Sequence, residues 1–325
     1  MKLIVKSSDA DGRYDSLARF LTTAWEVEIV DVSVPAVYAR ALADADAMIS
    51  MVWTRDMPSA PRLKLIHLPG AGTDEIDFAA LPPYTSVCNA YEHEIGISEY
   101  VLAAMLEWEI RLQRMDAAMR RDEWYGSWLC GPLHGEIYGK TLGIVGYGRI
   151  GQEAARRARA FGMEVVSCSR TARAGDGLVA SVLPMSELHG LLSASDYVLI
   201  SLPLDAATRG AIDAAALAAM RPDGVIINVC RGAVIDEEAL YTALRDKRIG
   251  GAVIDTWYRY PERGQRYQSP SRFPFRELDN VLMSGHASAW TTGLLPRRCR
   301  IIAQNLDRTA RGEPLINCVR QGVSL

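Results

Sequence analysis

The sequence has almost no net charge: 36 Lys and Arg against 39 Asp and Glu leave −3 at pH 7. A general nucleic-acid binder needs a basic excess to neutralise phosphates, so that class is excluded. Long apolar runs are also lacking, and nothing approaches the roughly 18 residues of a membrane span. The opening MKLIVKSSDADGR reads directly as a strand, without a signal-peptide pattern, and a cytoplasmic location is expected. The six cysteines (88, 130, 168, 230, 299 and 318) show no C-x-x-C spacing, and five lie in or near apolar runs. They read as small, reduced core residues. The five histidines add no zinc-ligand spacing, so no metal is expected.

What is present is a globular composition, 49% apolar and 23% charged over 325 residues, enough for two domains. Short β-rich runs alternate with Ala-rich helical patterns. Strands are expected at 2–7, 27–33, 46–53, 64–69 and 85–90, then again at 141–146, 164–169, 197–202, 225–230, 250–255 and 280–285. Such alternation implies parallel strands joined by crossover helices, and the continuously apolar second series implies a sheet covered on both faces. Between the series, SEYVLAAMLEWEIRLQRMDAAMR (98–120) contains no Gly or Pro and predicts one long amphipathic helix at a domain or subunit contact. Residues 123–140, rich in Trp and Gly, read as an irregular connection. The tail from Pro296 reads as one more helix.

The most informative stretch is GIVGYGRIGQEAARRARAFGMEVVSCSR. Gly146, Gly148 and Gly151 form G-x-G-x-x-G after a strand and at the start of a helix, with the next strand following inside about 30 residues. The glycines allow a tight turn and close approach to a pyrophosphate, and the helix N-terminus offers free N–H groups. Dinucleotide sites selective for NAD place Asp or Glu at the end of the second strand. Here Ser169 and Arg170 stand there, with Arg173 nearby. A hydroxyl and a guanidinium suit a 2′-phosphate that a carboxylate would repel, so NADP (NADPH) is the expected cofactor.

Four stretches together resemble the D-isomer-specific 2-hydroxyacid dehydrogenases: GKTLGIVGYGRIGQEAARRARAFGMEV, the long segment from SLPLDAATRG to GGAVID, LPGAGTDEIDFAAL and NVLMSGHASAW. The resemblance covers most of the chain from about residue 60 onward. It implies α/β architecture with two doubly wound domains and an active site in the cleft between them. A flavodoxin-like substrate domain would be built from 1–93 plus 294–325, and a Rossmann cofactor domain from 94–293. It also implies a homodimer, with the 98–120 helix as the dimerising element, and a small 2-keto or 2-hydroxy acid as substrate.

The resemblance extends to single residues. Arg231, just past a strand in NVCRG, matches the family's catalytic arginine; its fork can clamp a carboxylate and polarise the adjacent carbonyl. His286 matches the general acid/base, a role suited to an imidazole of ordinary pKa about 6.5. Arg149 and Ile150 in the glycine loop, Leu202, Pro203 and Thr208 in SLPLDAAT, and Val229 and Cys230 before the arginine join the expected cofactor site. Asp255 is expected at the nicotinamide carboxamide, and His286 also borders the cofactor. Ala71 and Gly72 would offer backbone N–H groups to the substrate carboxylate, with Arg55 as a further substrate contact.

One position departs from the pattern. The family places a glutamate directly before the proline that follows the strand, where it hydrogen-bonds the histidine. Here that position is Tyr260, with Glu262 beyond Pro261. A carboxylate beside an imidazole favours the imidazolium, whereas a neutral tyrosine supplies only a hydrogen bond. Three readings stay open: Tyr260 orients His286 or binds substrate, Glu262 reaches back, or the relay is absent and the chemistry specialised. The following loop carries Arg259, Arg263, Arg266, Arg272 and Arg276 with Tyr267, Phe273 and Phe275 interleaved. It reads either as a solvated or packing loop, or as a basic lid for an acidic substrate. The function expected is an NADP-dependent reductase of glyoxylate or hydroxypyruvate type. The alternatives are a member acting on a different donor or acid, and a non-catalytic dinucleotide-binding sensor.

Overall fold

The computed structural model describes residues 1–7, 12–262 and 264–323. It divides into two compact units, Met1–Glu92 with Thr291–Leu325, and His93–Trp290. Along the chain the first elements are β1 Lys2–Lys6, β2 Glu26–Val30, α1 Pro35–Asp44, β3 Ala47–Ile49, β4 Leu65–His67 and β5 Ser86–Cys88. Then come α2 Glu94–Ile110, α3 Leu112–Met119, β6 Thr141–Val145, α4 Arg149–Ala160, β7 Glu164–Ser169, β8 Arg173–Ala174, β9 Ser181–Pro184 and α5 Leu188–Ala194. The rest are β10 Tyr197–Ile200, α6 Ala214–Ala219, β11 Val225–Asn228, α7 Glu237–Arg245, β12 Gly251–Ile254, β13 Val281–Met283, α8 Leu294–Arg311 and β14 Cys318–Arg320.

The first unit carries the sheet β14-β5-β4-β3-β1-β2, parallel except for β14, which runs antiparallel to β5. Its parallel strands take the flavodoxin-like order 2-1-3-4-5. Alternate residues serve opposite faces, as strand geometry requires. Ile4, Met48, Ile66 and Val87 pack under Tyr38, Ala41 and Leu42 of α1. Leu3, Val5, Ala47, Ile49, Leu65 and Cys88 pack under Cys299, Ile302, Ala303 and Leu306 of α8. His67 is buried among them. Its Nε2 accepts from the Asn305 amide at 2.9 Å, which leaves Nδ1 to donate to the Leu68 carbonyl at 3.0 Å.

The second unit carries β13-β12-β11-β10-β6-β7-β9-β8, parallel except at the β8 edge. Numbered within the unit, its core reads 3-2-1-4-5-6, the Rossmann order, with β13 added. Val145, Val198, Ile200, Ile226 and Ile254 face α5, α6 and α7. Leu142, Ile144, Leu199, Ile227 and Val253 face α2 and α4. Both faces are therefore covered, which explains why these strands read as unbroken apolar runs.

The expected single helix over 98–120 is corrected. Helix α2 starts earlier, at Glu94, and ends where Arg111 turns left-handed (φ 58, ψ 41); α3 restarts at Leu112. That conformation costs a non-glycine residue about 1 kcal/mol or more. Here it is met by the Arg111 N–H donating to Glu107 O at 2.9 Å and by the guanidinium lying over Trp108, 5.2 Å from the ring centre. The tail also holds more than a helix: Gly312 (φ 69) closes α8, and β14 follows. Among the described residues no helix is long and apolar enough to cross a membrane, and no cluster of His, Cys, Asp and Glu could hold a metal.

Candidate active site

The glycine loop sits where the strand order of the second unit reverses, between the ends of β6 and β10. This is where doubly wound sheets bind ligands. Gly146 has φ 101, and a Cβ there would lie 2.7 Å from the Ser201 carbonyl oxygen. A Cβ at Gly151 would lie 2.7 Å from Gly146 O and 2.9 Å from Ile144. These two glycines serve the fold. Gly148 differs: a Cβ there would meet nothing within 4 Å. It is the N-cap of α4 and offers no side-chain cap, so the first N–H groups of the helix face an open cradle. A pyrophosphate fits that cradle by charge and by space. Ile150 packs partly into the core, and Arg149 lies 3.8 Å from Glu94.

The neighbouring turns are built to hold their shape. Ser201 donates to Gly146 O at 2.6 Å. Leu202 is buried and Pro203 exposed. Thr208 donates to Pro203 O at 2.6 Å and accepts from the Asp205 N–H at 2.8 Å. At the end of β7, Ser169 donates to Thr171 O at 2.8 Å, and the exposed Arg170 pairs with Asp205 at 3.3 Å. Arg173 donates to Tyr147 O at 2.7 Å and lies over the Tyr147 ring, whose hydroxyl donates to Asp176 at 3.0 Å.

Arg231 follows β11. Asn228 fixes this turn: its amide donates to Arg231 O at 3.2 Å and its oxygen accepts from Cys230 N and Sγ, both at 3.2 Å. Burial pushes the Cys230 thiol up to about 11, so it is a packing group and not a nucleophile. Val229 is core. A Cβ at Gly232 would lie 2.5 Å from the Trp257 backbone, so the arginine turn packs directly on the segment after β12. Arg231 Nη1 donates to Cys230 O at 2.8 Å.

His286 is held by Asp255. The Asp255 carbonyl accepts the His286 N–H at 2.7 Å, and its carboxylate accepts Ala287 N at 2.8 Å, Ser288 N at 3.1 Å and the Ser284 hydroxyl. Asp255 is 0% exposed, and its carboxylate serves the histidine turn, with two donors on Oδ1 and one on Oδ2. His286 itself is exposed and left-handed (φ 57), a conformation that this set of bonds sustains. Its imidazole is held below the ordinary pKa, chiefly by desolvation; the Asp255 charge opposes the shift and Arg231 adds to it.

Tyr260 lies against His286, with ring centres 5.6 Å apart and planes at 53°. Its hydroxyl oxygen accepts from Trp257 N at 3.1 Å, and desolvation leads the causes that raise its pKa above the ordinary 10.0. Glu262 is engaged locally, accepting from the Gln265 side chain at 3.3 Å. In the loop beyond, Phe273 stacks on Tyr241 at 4.9 Å and buried Phe275 meets Trp257 edge-on at 5.7 Å. Arg272 pairs with Glu237 and Glu238, and Arg276 with Glu277. The second half of the loop is thus anchored to α7. Arg259, Arg266 and Tyr267 are exposed; Arg263 lies outside the described residues.

Residues 102–288 match the family described as D-isomer specific 2-hydroxyacid dehydrogenase, NAD binding domain. The chain belongs to this family. A glyoxylate reductase of Thermococcus onnurineus is 33% identical over 83% of this chain and 81% of its own length. A D-3-phosphoglycerate dehydrogenase of Methanocaldococcus jannaschii is 30% identical over 97% of this chain, which spans 59% of that longer relative. Among solved structures, an NADPH-dependent glyoxylate/hydroxypyruvate reductase of Sinorhizobium meliloti, in complex with NADP and sulfate, is 26% identical and superposes with TM-score 0.79 over 98% of both chains.

For a 2-hydroxyacid dehydrogenase the remaining assigned residues lie in the first unit. Ala71 and Gly72 are half-buried in the turn after β4, where Ala71 O accepts from the Asn89 amide at 2.9 Å. Arg55 is mostly exposed and reaches Asp77 at 3.4 Å. Sequence reasoning missed Tyr100 and Ser284. The Tyr100 hydroxyl on α2 meets Ser284 Oγ at 2.7 Å, and Ser284 in turn donates to Asp255. A polar residue two before the histidine was the available signal for Ser284. Tyr100 carried none, being one aromatic in an apolar helix.

Proposed function

We propose that the protein is an NADPH-dependent 2-keto acid reductase, of glyoxylate or hydroxypyruvate reductase type. The observation that carries the reading is the convergence of Arg231, His286 and Asp255 at adjoining strand ends of the domain that holds the glycine cradle. Arg231 lies close enough to act electrostatically on both His286 and Tyr260. A bound nicotinamide supplies the hydride. Arg231 clamps the substrate carboxylate and polarises its carbonyl. His286 gives the carbonyl oxygen its proton, and Asp255 keeps the imidazole in place without touching substrate. Tyr260 walls the imidazole and orders the Trp257 turn. Ala71 and Gly72 offer their N–H groups to the substrate carboxylate, and the enzyme works as a homodimer.

The cofactor preference rests on Ser169, Arg170 and Arg173, with no carboxylate at the end of β7. The Arg170–Asp205 pair is solvent-exposed and worth little, so a 2′-phosphate can take the guanidinium from it. A panel of 2-keto acids with NADPH and with NADH tests the whole reading. Turnover of glyoxylate and hydroxypyruvate with a higher kcat/KM for NADPH is expected. Absence of turnover on every acid despite dinucleotide binding overturns it in favour of a sensor. Tyr260, standing where relatives keep a glutamate, favours a second reading, a bulkier or different acceptor, which the same panel separates.

A further inference from the structure

Cys88 ends β5 and Cys318 opens β14, 230 positions apart by number and directly opposite one another across the antiparallel pair. The register fixes which kind of pair this is. Asn89 N donates to Asn317 O at 3.2 Å and Cys88 O accepts from Leu68 N on the other side, so the Cys88 backbone faces β4 and Cys88 with Cys318 is the adjoining rung, just ahead of a register shift between Cys318 and Arg320. On a regular rung of that kind the Cα atoms approach to about 4.5 Å; here the Cys318 sulfur is near enough to Cys88 to act on its thiol directly. Disulfides span Cα separations of roughly 4.4–6.8 Å. Cys168, Cys230 and Cys299, the other buried cysteines, lie in the apolar cores, and among the described residues none stands opposite another cysteine across a strand pair.

We propose that Cys88 and Cys318 form a dithiol site that a low-molecular-weight disulfide oxidises to an intramolecular cross-strand bond. The two thiols are unequal in the way such chemistry needs. Cys318 is exposed on the sheet edge, with Gln321 Oε1 3.4 Å from its sulfur, and is open to attack an incoming disulfide. Cys88 is fully buried, and its thiol is pushed above the ordinary range by burial and by the neighbouring Cys318 sulfur. Cys318 thiolate attacks one sulfur of the reagent, forming a mixed disulfide and releasing one reagent thiolate. Cys88 then gives up its proton and attacks Cys318 Sγ, displacing the second reagent thiolate. Two protein thiols are oxidised, the reagent disulfide is reduced to two thiols, and the two protons end on them. Forming the mixed disulfide places an electrophilic sulfur beside Cys88, so the first step prepares the second. The bond would clasp the C-terminal strand to β5, whose next residue, Asn89, holds the Ala71 carbonyl.

The test uses the whole chain carrying Cys130→Ser, which removes the other exposed thiol. The protein is incubated with oxidised glutathione, alkylated, and weighed intact and after digestion. The expected result is loss of two hydrogen masses, two fewer titratable thiols, and a linked peptide pair containing Cys88 and Cys318 that separates on reduction. With Cys318→Ser, an exposed and fold-neutral change, neither thiol loss nor linkage is expected. With Cys88→Ser, a stable glutathione adduct on Cys318 is expected in place of the bond. A parent protein that keeps all its thiols, or stops at the Cys318 adduct, overturns the proposal.

Discussion

The carbonyl of Asp255 accepts the backbone N–H of His286 at 2.7 Å while the same residue's carboxylate closes on the next two N–H groups of that turn. One buried side chain thereby fixes the left-handed histidine. Asp255→Asn replaces an acceptor oxygen by a donor facing N–H groups. Loss of about 1–3 kcal/mol in unfolding free energy is expected. A fall in kcat of roughly tenfold or more, with KM little changed, should accompany it. Steady-state kinetics and denaturant unfolding check both. Ser284→Ala should act in the same direction, more weakly.

The pH dependence follows from the sign at His286. Its folded pKa lies below 6.5, so the proton-donating form is populated only at lower pH. Reductive kcat/KM should therefore fall as pH rises through a value below 6.5, and the oxidative direction should rise. Tyr260→Phe should lower kcat, because the Trp257 N–H loses its acceptor. Glu262→Gln should leave the profile unchanged. A profile that moves only with Glu262→Gln would assign the supporting role to that carboxylate.

The three glycines should separate in their effects. Gly151→Ala pushes a methyl into Gly146 O and Ile144, and Gly146→Ala pushes one into Ser201 O. Both should lower the thermal midpoint of the protein without ligand. Gly148→Ala has room and should leave that midpoint nearly unchanged, yet weaken dinucleotide binding by crowding the cradle. Thermal melts with and without NADPH distinguish the cases.

His67 predicts an acid weakness of the first unit. Its pKa is lowered to about 4 from 6.5 by burial. The neutral ring belongs to the folded state, so its contribution is full above pH 6.5 and is lost as pH falls toward 4. The difference corresponds to about 3 kcal/mol. His67→Gln should flatten the pH dependence of unfolding in that window, at some cost in stability at neutral pH.

Much of this was legible in the sequence. The alternation of apolar runs placed the strands, because a sheet covered on both faces leaves no polar positions to confuse the pattern. The G-x-G-x-x-G loop placed the cradle, since its glycines answer steric demands visible as spacing. The break at Arg111 was not legible: nothing local marks a left-handed arginine whose support comes from Trp108 and Glu107. β14 was missed because a three-residue edge strand has no period of its own. The hold of Asp255 on the histidine turn was not legible for another reason. Its strand-end position was read correctly, but which way a buried carboxylate turns is decided by the 284–288 turn, 29 residues further on.

The first unit is assembled from both ends of the chain, and that fixes an order of events during synthesis. Five of its strands are complete by Cys88, yet the face formed by Leu3, Val5, Ala47, Ile49 and Leu65 waits for α8, which starts at Leu294. The unit from His93 to Trp290 is continuous and can close while that face is still bare. A nascent chain whose α8 is still inside the ribosomal exit tunnel would thus hold out a finished dinucleotide domain and a sticky, half-covered sheet, a natural target for chaperones.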